Sequence, residues 1–145
     1  MRRIILLLLL IAPLSVKLHA QNSNENIKGA VITVIPDTVK LGVIYVDDIN
    51  TNSGKVEIKV NNNGTKPLIM HTVKGCCGTN IADYTKGPIL PGKEGVIKVE
   101  FRIEPRPQQI SRTVTIESNA VNSRVTVVKI LGSVNNRKAK NEISL

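Results

Sequence analysis

The feature that most constrains this chain is a strict two-residue alternation. Ile97, Val99, Phe101 and Ile103 are separated by Lys98, Glu100 and Arg102. Side chains of an extended strand point alternately to its two faces, so this pattern buries one face and leaves the other in water. The same rhythm recurs in Val39, Leu41 and Val43, in Val56, Ile58 and Val60, and in Val114 and Ile116. Residues 29–35 are rich in β-branched side chains and stop at Pro36-Asp37, and residues 67–73 form another short apolar run. In the last run, residues 125–134, the adjacent pairs Val127-Val128 and Ile130-Leu131 blur the register. Val128, Ile130 and Val134 are assigned inward.

Turn residues punctuate these runs. Asn61-Asn62-Asn63-Gly64, Pro91-Gly92 and Pro105-Arg106-Pro107 mark reversals, and Asn63-Gly64 reads as a hairpin turn with positive φ. Ser118-Asn119 and Asn122-Ser123 bracket a hairpin connection. No segment keeps a helical apolar spacing over ten residues. About seven short strands with turns at such intervals predict an all-β, immunoglobulin-like sandwich, with a small barrel as the alternative. An antibody-type domain would carry a Cys…Trp…Cys pattern; this chain has no Trp, and its two Cys are neighbours. Its core is therefore aliphatic and lacks the inter-sheet disulfide.

The first residues read differently. Arg2 and Arg3 precede an unbroken apolar run over residues 4–11, then Pro13, and Leu18-His19-Ala20 ends on a small residue. This is the pattern of a cleaved secretory signal peptide over residues 1–20. A membrane span needs about 20 apolar residues, and Pro13, Ser15, Lys17 and His19 leave too few. No later segment is long and apolar enough to span after cleavage. The expected organisation is a signal peptide at 1–20, a polar disordered linker at 21–28, a sandwich domain at 29–135, and a basic flexible tail at 136–145. Export places the mature protein in the periplasm or cell envelope, or secretes it.

The formal charge of +9 falls by three once Arg2, Arg3 and Lys17 are removed. The remaining basicity reads as a lysine-rich soluble surface, with an acidic polysaccharide or lipid surface as the alternative. Nucleic acid is a poor fit, because one Phe, two Tyr and no Trp offer few stacking platforms.

One constellation carries chemistry. Cys76 and Cys77 are adjacent and flanked by Gly75 and Gly78. Adjacent Cα atoms lie about 3.8 Å apart, whereas disulfides prefer about 4.4–6.8 Å. A Cys76–Cys77 bond would be strained and readily reduced. Four fates remain open: that vicinal disulfide, a bond to another chain, reduced buried thiols, or a soft metal held with His71 and, as a fourth ligand, Asp83. The metal spacing matches no established pattern, and His71 reads as solvent-facing. Asp47-Asp48 also reads as solvent-facing, beside a polar turn. Neither a nucleophile elbow nor a phosphate loop is present, and no cofactor is expected. Asn63-Gly64-Thr65 fits a glycosylation sequon, and Asp37-Thr38-Val39 resembles a bacterial O-glycosylation pattern.

Five stretches, in order, resemble the bacterial family called domain of unknown function 1573: Asn63-Gly64-Thr65-Lys66-Pro67-Leu68-Ile69, Gly75-Cys76-Cys77-Gly78-Thr79, Pro88-Ile89-Leu90-Pro91-Gly92-Lys93-Glu94-Gly95, Ile116-Glu117-Ser118-Asn119 and Leu131-Gly132-Ser133-Val134. The resemblance covers residues 39–134. It implies an immunoglobulin-like sandwich, similar to major-sperm-protein-type domains, in mostly exported proteins of uncharacterised activity. Two departures stand out. The family's usual Cys-Gly-Cys-Thr is here Cys76-Cys77-Gly78-Thr79, and its aromatic core positions are here Val39, Leu41, Val56 and Ile58.

The expected function is a non-enzymatic interaction or structural domain of the cell envelope. Its partner would be another envelope protein, met through an edge strand, with residues 29–35 and 124–134 as the candidate edges. The alternative is a thiol-redox or metal-handling protein centred on Cys76 and Cys77.

Overall fold

A computed structural model describes residues 28–137. The expected signal peptide (1–20), linker residues 21–27 and the tail beyond Arg137 lie outside the described residues. The chain is all-β, with strands β1 (Ile32–Ile35), β2 (Thr38–Tyr45), β3 (Lys55–Asn62), β4 (Met70–Gly75), β5 (Thr79–Tyr84), β6 (Glu94–Phe101), β7 (Gln108–Ser118) and β8 (Val125–Asn135). A short 3-10 turn, Val46–Asp48, follows β2. The strands form two four-stranded sheets, β1-β3-β6-β5 and β2-β8-β7-β4. This is the expected sandwich, with eight strands rather than seven.

The alternation places the core. Ile58, Val60, Ile97 and Val99 of the first sheet face Val114, Ile116, Val128, Ile130 and Val134 of the second, and all are fully buried. Each such side chain stabilises by about 1.5–3 kcal/mol. Val128, Ile130 and Val134 point inward as expected. Val127 and Leu131, the neighbours that blurred the register, lie exposed on the outer face of β8.

Three expectations need correction. The strand over residues 125–134 is not an edge: β8 pairs in parallel with β2 and antiparallel with β7. The chain leaves the first sheet at Ile35-Pro36, a cis peptide bond, and enters the second as β2. Val43 does not continue the inward phase of Val39 and Leu41. The register shifts between Lys40 and Gly42, where Gly42 adopts φ +71°, and Val43 turns outward. Finally, Asn63-Gly64 is not a primed turn. Neither residue has positive φ; β3 runs on through Asn62, and the chain crosses to the second sheet. Gly64 is required by close approach, since a Cβ there would lie 2.2 Å from the Gly29 carbonyl oxygen.

The strand missed by periodicity is β5. Its sequence, Thr79-Asn80-Ile81-Ala82-Asp83-Tyr84, has few apolar residues and a register shift between Ile81 and Asp83 that interrupts the alternation.

Candidate functional site

The cysteines occupy the connection between β4 and β5, where the chain passes from the second sheet to the first. Cys76 extends the β4–β7 ladder, its N–H donating to the Thr113 carbonyl at 3.0 Å. Its own carbonyl turns away and accepts the Thr79 N–H at 2.9 Å. Cys77 (φ +52°) and Gly78 (φ +74°) are the two central residues of that turn. Two successive positive φ values define a type I′ turn, which favours Asn-Gly over a Cys at its first central position.

The turn leaves the Thr113 N–H without the carbonyl that a regular ladder would supply. Cys76 Sγ takes that place, accepting the bond at 3.2 Å. The Thr113 hydroxyl, the Cys77 thiol, the Thr113 N–H and the Arg112 guanidinium together hold the Cys76 thiol below the usual range. The Cys77 thiol is pushed up by the sulfur of Cys76 beside it. Cys76 is partly exposed and Cys77 exposed; both are free thiols, and the vicinal disulfide is not formed.

Arg112 completes the cluster. It lies at an inner-face position of β7, in phase with Ile110 and Val114, and pairs with Ile130. Its guanidinium sits 5.8 Å from the Phe101 ring centroid and donates through Nη1 to the Cys77 carbonyl. Its Nε is buried with no acceptor among the described residues, and Thr79 Oγ1 is likewise buried and unpartnered. Sequence reading overlooked Arg112. The available signal was phase, because a charged residue stands where the alternation of Val114 and Ile116 demands an apolar one.

His71 does not join this group. It is exposed near the start of β4, at the far end of that strand from Cys76. Among the described residues no group of three His, Cys, Asp or Glu could hold a metal ion. The alternative ligand set of His71, Cys76, Cys77 and Asp83 is therefore not assembled. Asp47 and Asp48 are exposed, and Asp48 is paired with Arg137.

A second candidate surface is the free edge of the second sheet. β2 pairs only with β8 among the described strands, leaving its other side open over eight residues. Beside it lies a shallow groove of about 450 Å³, lined by Lys40, Gly42, Val43, Ile110, Leu131 and Gly132 among others. Gly42 and Gly132 are paired there, and Gly42, at φ +71°, leaves open space where a side chain would stand. Of the expected edges, β1 is one in fact. Its outward backbone at Ile32 is already occupied, with the N–H and carbonyl both bonded to the Asn122 side chain at 3.0 and 2.9 Å.

The model of the family described as Protein of unknown function (DUF1573) matches residues 37–134. The chain belongs to that family. No curated protein matches this DUF1573 chain. Solved structures share its fold at low identity. A protein of unknown function from Porphyromonas gingivalis W83 superposes with a TM-score of 0.60 at 17% identity, covering 79% of this chain and 51% of that one. The secreted serine protease VesC from Vibrio cholerae gives 0.51 at 13% identity, covering 66% of this chain and 21% of the protease. The YadV chaperone gives 0.50 at 13% identity, covering 75% and 54%. The DUF1573 chain thus spans about half or less of each, and the likeness concerns the fold. Among its described residues no helix is long and apolar enough to cross a membrane.

Proposed function

We propose that this DUF1573 chain is an exported, non-enzymatic domain of the cell envelope that binds another protein by strand addition along β2. One observation carries the reading: an open eight-residue edge lies directly beside an apolar groove. An added strand satisfies the unpaired N–H and carbonyl groups of the edge, and side chains at alternate positions supply specificity. The glycine-floored groove between Val43 and Leu131 suits a small apolar side chain from an extended segment of the partner. The YadV chaperone shares this fold. Export is supported by the pattern of residues 1–20.

The test places a photo-crosslinking residue at Val43 and, as a control, at Lys98, which is exposed on β6, an interior strand of the first sheet. A recurrent envelope-protein adduct from Val43 alone, lost in Leu131→Asp, is the expected result. Equal adducts from both positions, or none, would overturn the reading. Export is tested separately by N-terminal sequencing of the fractionated protein, where an intact Met1 would refute it.

A further inference from the structure

We infer that Cys76 and Cys77 form a thiol–disulfide exchange site, in which Cys76 attacks a disulfide and Cys77 resolves the product. This does not depend on strand addition at β2. Three geometric facts carry it. Cys76 Sγ stands in for a backbone acceptor and receives the Thr113 N–H, an arrangement that favours a thiolate, since the donor strengthens its bond when the sulfur is charged. A buried-face arginine, Arg112, is tied to the same loop through the Cys77 carbonyl and keeps an unused Nε donor. The second thiol stands on an exposed turn, at a positive φ that a Cys adopts at a cost. Backbone strain of this kind concentrates where a side chain is used. The lowered pKa of Cys76 and the raised pKa of Cys77 agree with a division into attacking and resolving thiols.

The Cys76 thiolate attacks one sulfur of a disulfide RSSR, forming a Cys76–S–S–R bond and releasing RS⁻. Cys77 gives its proton to solvent and attacks Cys76 Sγ, forming the Cys76–Cys77 bond and expelling the second RS⁻. Two electrons pass from the two protein thiols to RSSR. The adjacent-residue product is strained and so returns readily to the dithiol. Arg112 is a positioning residue here, acting through charge and through the Cys77 carbonyl.

The experiment uses the full exported chain, reduced, with glutathione disulfide as RSSR. Mass spectrometry of the wild type should show loss of two hydrogens and no retained glutathione. Cys77→Ser should trap one glutathione on Cys76, confirmed by peptide mapping. Cys76→Ser should react at Cys77 about tenfold more slowly. Reaction of Cys76 with a neutral alkylating reagent should follow a pH profile displaced below that of a free thiol. Arg112→Gln should move that profile upward while the near-ultraviolet spectrum stays unchanged. A Cys77→Ser protein that retains no glutathione, or a Cys77 that reacts faster than Cys76, would overturn the assignment. So would a wild type that keeps two glutathiones without closing the disulfide. Because the wild-type measurement needs no substitution, the inference stays testable even if a variant misfolds.

Discussion

The side-chain amide of Asn62 donates to the carbonyl of Ile89, 27 residues away, at 2.8 Å in the buried interior. The same amide donates to the Lys66 carbonyl at 2.8 Å, and its Oδ1 accepts from the N–H groups of Val31 and Gly64. The Asn62 backbone bonds to Lys93 and Gly92. One side chain thus ties the start of the domain, the loop after β3 and the loop before β6 into one end of the sandwich. Buried carbonyls and N–H groups that lose their partner cost about 1–3 kcal/mol each. Asn62→Ala should therefore lose about 2–4 kcal/mol, more than most single core truncations to Val. Urea denaturation monitored by circular dichroism measures it. A loss near zero would mean that water replaces the amide.

Gly54 presses against the backbone of β6. The Phe101 N–H donates to its carbonyl at 3.0 Å, and a Cβ at this position would lie 1.8 Å from the Phe101 carbonyl oxygen. The obstacle is backbone, so it cannot swing aside. Gly54→Ala should destabilise by more than about 2 kcal/mol, although alanine restricts the unfolded chain and would on that ground alone stabilise. Thermal unfolding of the variant decides which effect prevails.

Cys77 offers the opposite case. At the first central position of a type I′ turn its positive φ costs about 1 kcal/mol relative to a residue tolerant of that region. Cys77→Asn should raise stability by about 0.5–1 kcal/mol while removing the resolving thiol. A gain in melting temperature with loss of disulfide closure would separate the structural preference of the turn from its chemistry.

Arg137 grips both oxygens of Asp48, at 2.8 and 2.7 Å, and lies 5.2 Å from the Tyr45 ring centroid. The geometry is good, but the pair is more than half exposed. Solvent and salt screen it, so Asp48→Ala should cost at most about 1 kcal/mol, falling further at high salt. A salt series of unfolding curves checks this.

Particular residues show what was legible. Ile97, Val99 and Phe101 announced β6 because one buried face repeats every second residue, Ile103 keeps that buried phase just past the strand's end, and the hairpin between β7 and β8 followed from its bracketing Asn and Ser residues. Gly75, Cys76, Cys77 and Gly78 stood out by type. Their primed turn did not, because Asn63-Gly64 carried the stronger turn signal and the chain used it otherwise. Arg112 was hidden because its meaning depends on the loop that folds over it. β5 was hidden because a register shift breaks the alternation that identifies strands.

Local alternation of apolar and polar side chains, with turn residues between, determined on its own that this chain forms two packed sheets and which faces they bury. It acts between neighbours in sequence and so is written in sequence. The order of strands was decided only in three dimensions. The parallel pairing of β2 with β8 closes one presumed edge and opens another, and a turn turned away from the ladder leaves a sulfur to accept the Thr113 N–H. Those outcomes join residues tens of positions apart, and no short-range pattern records them.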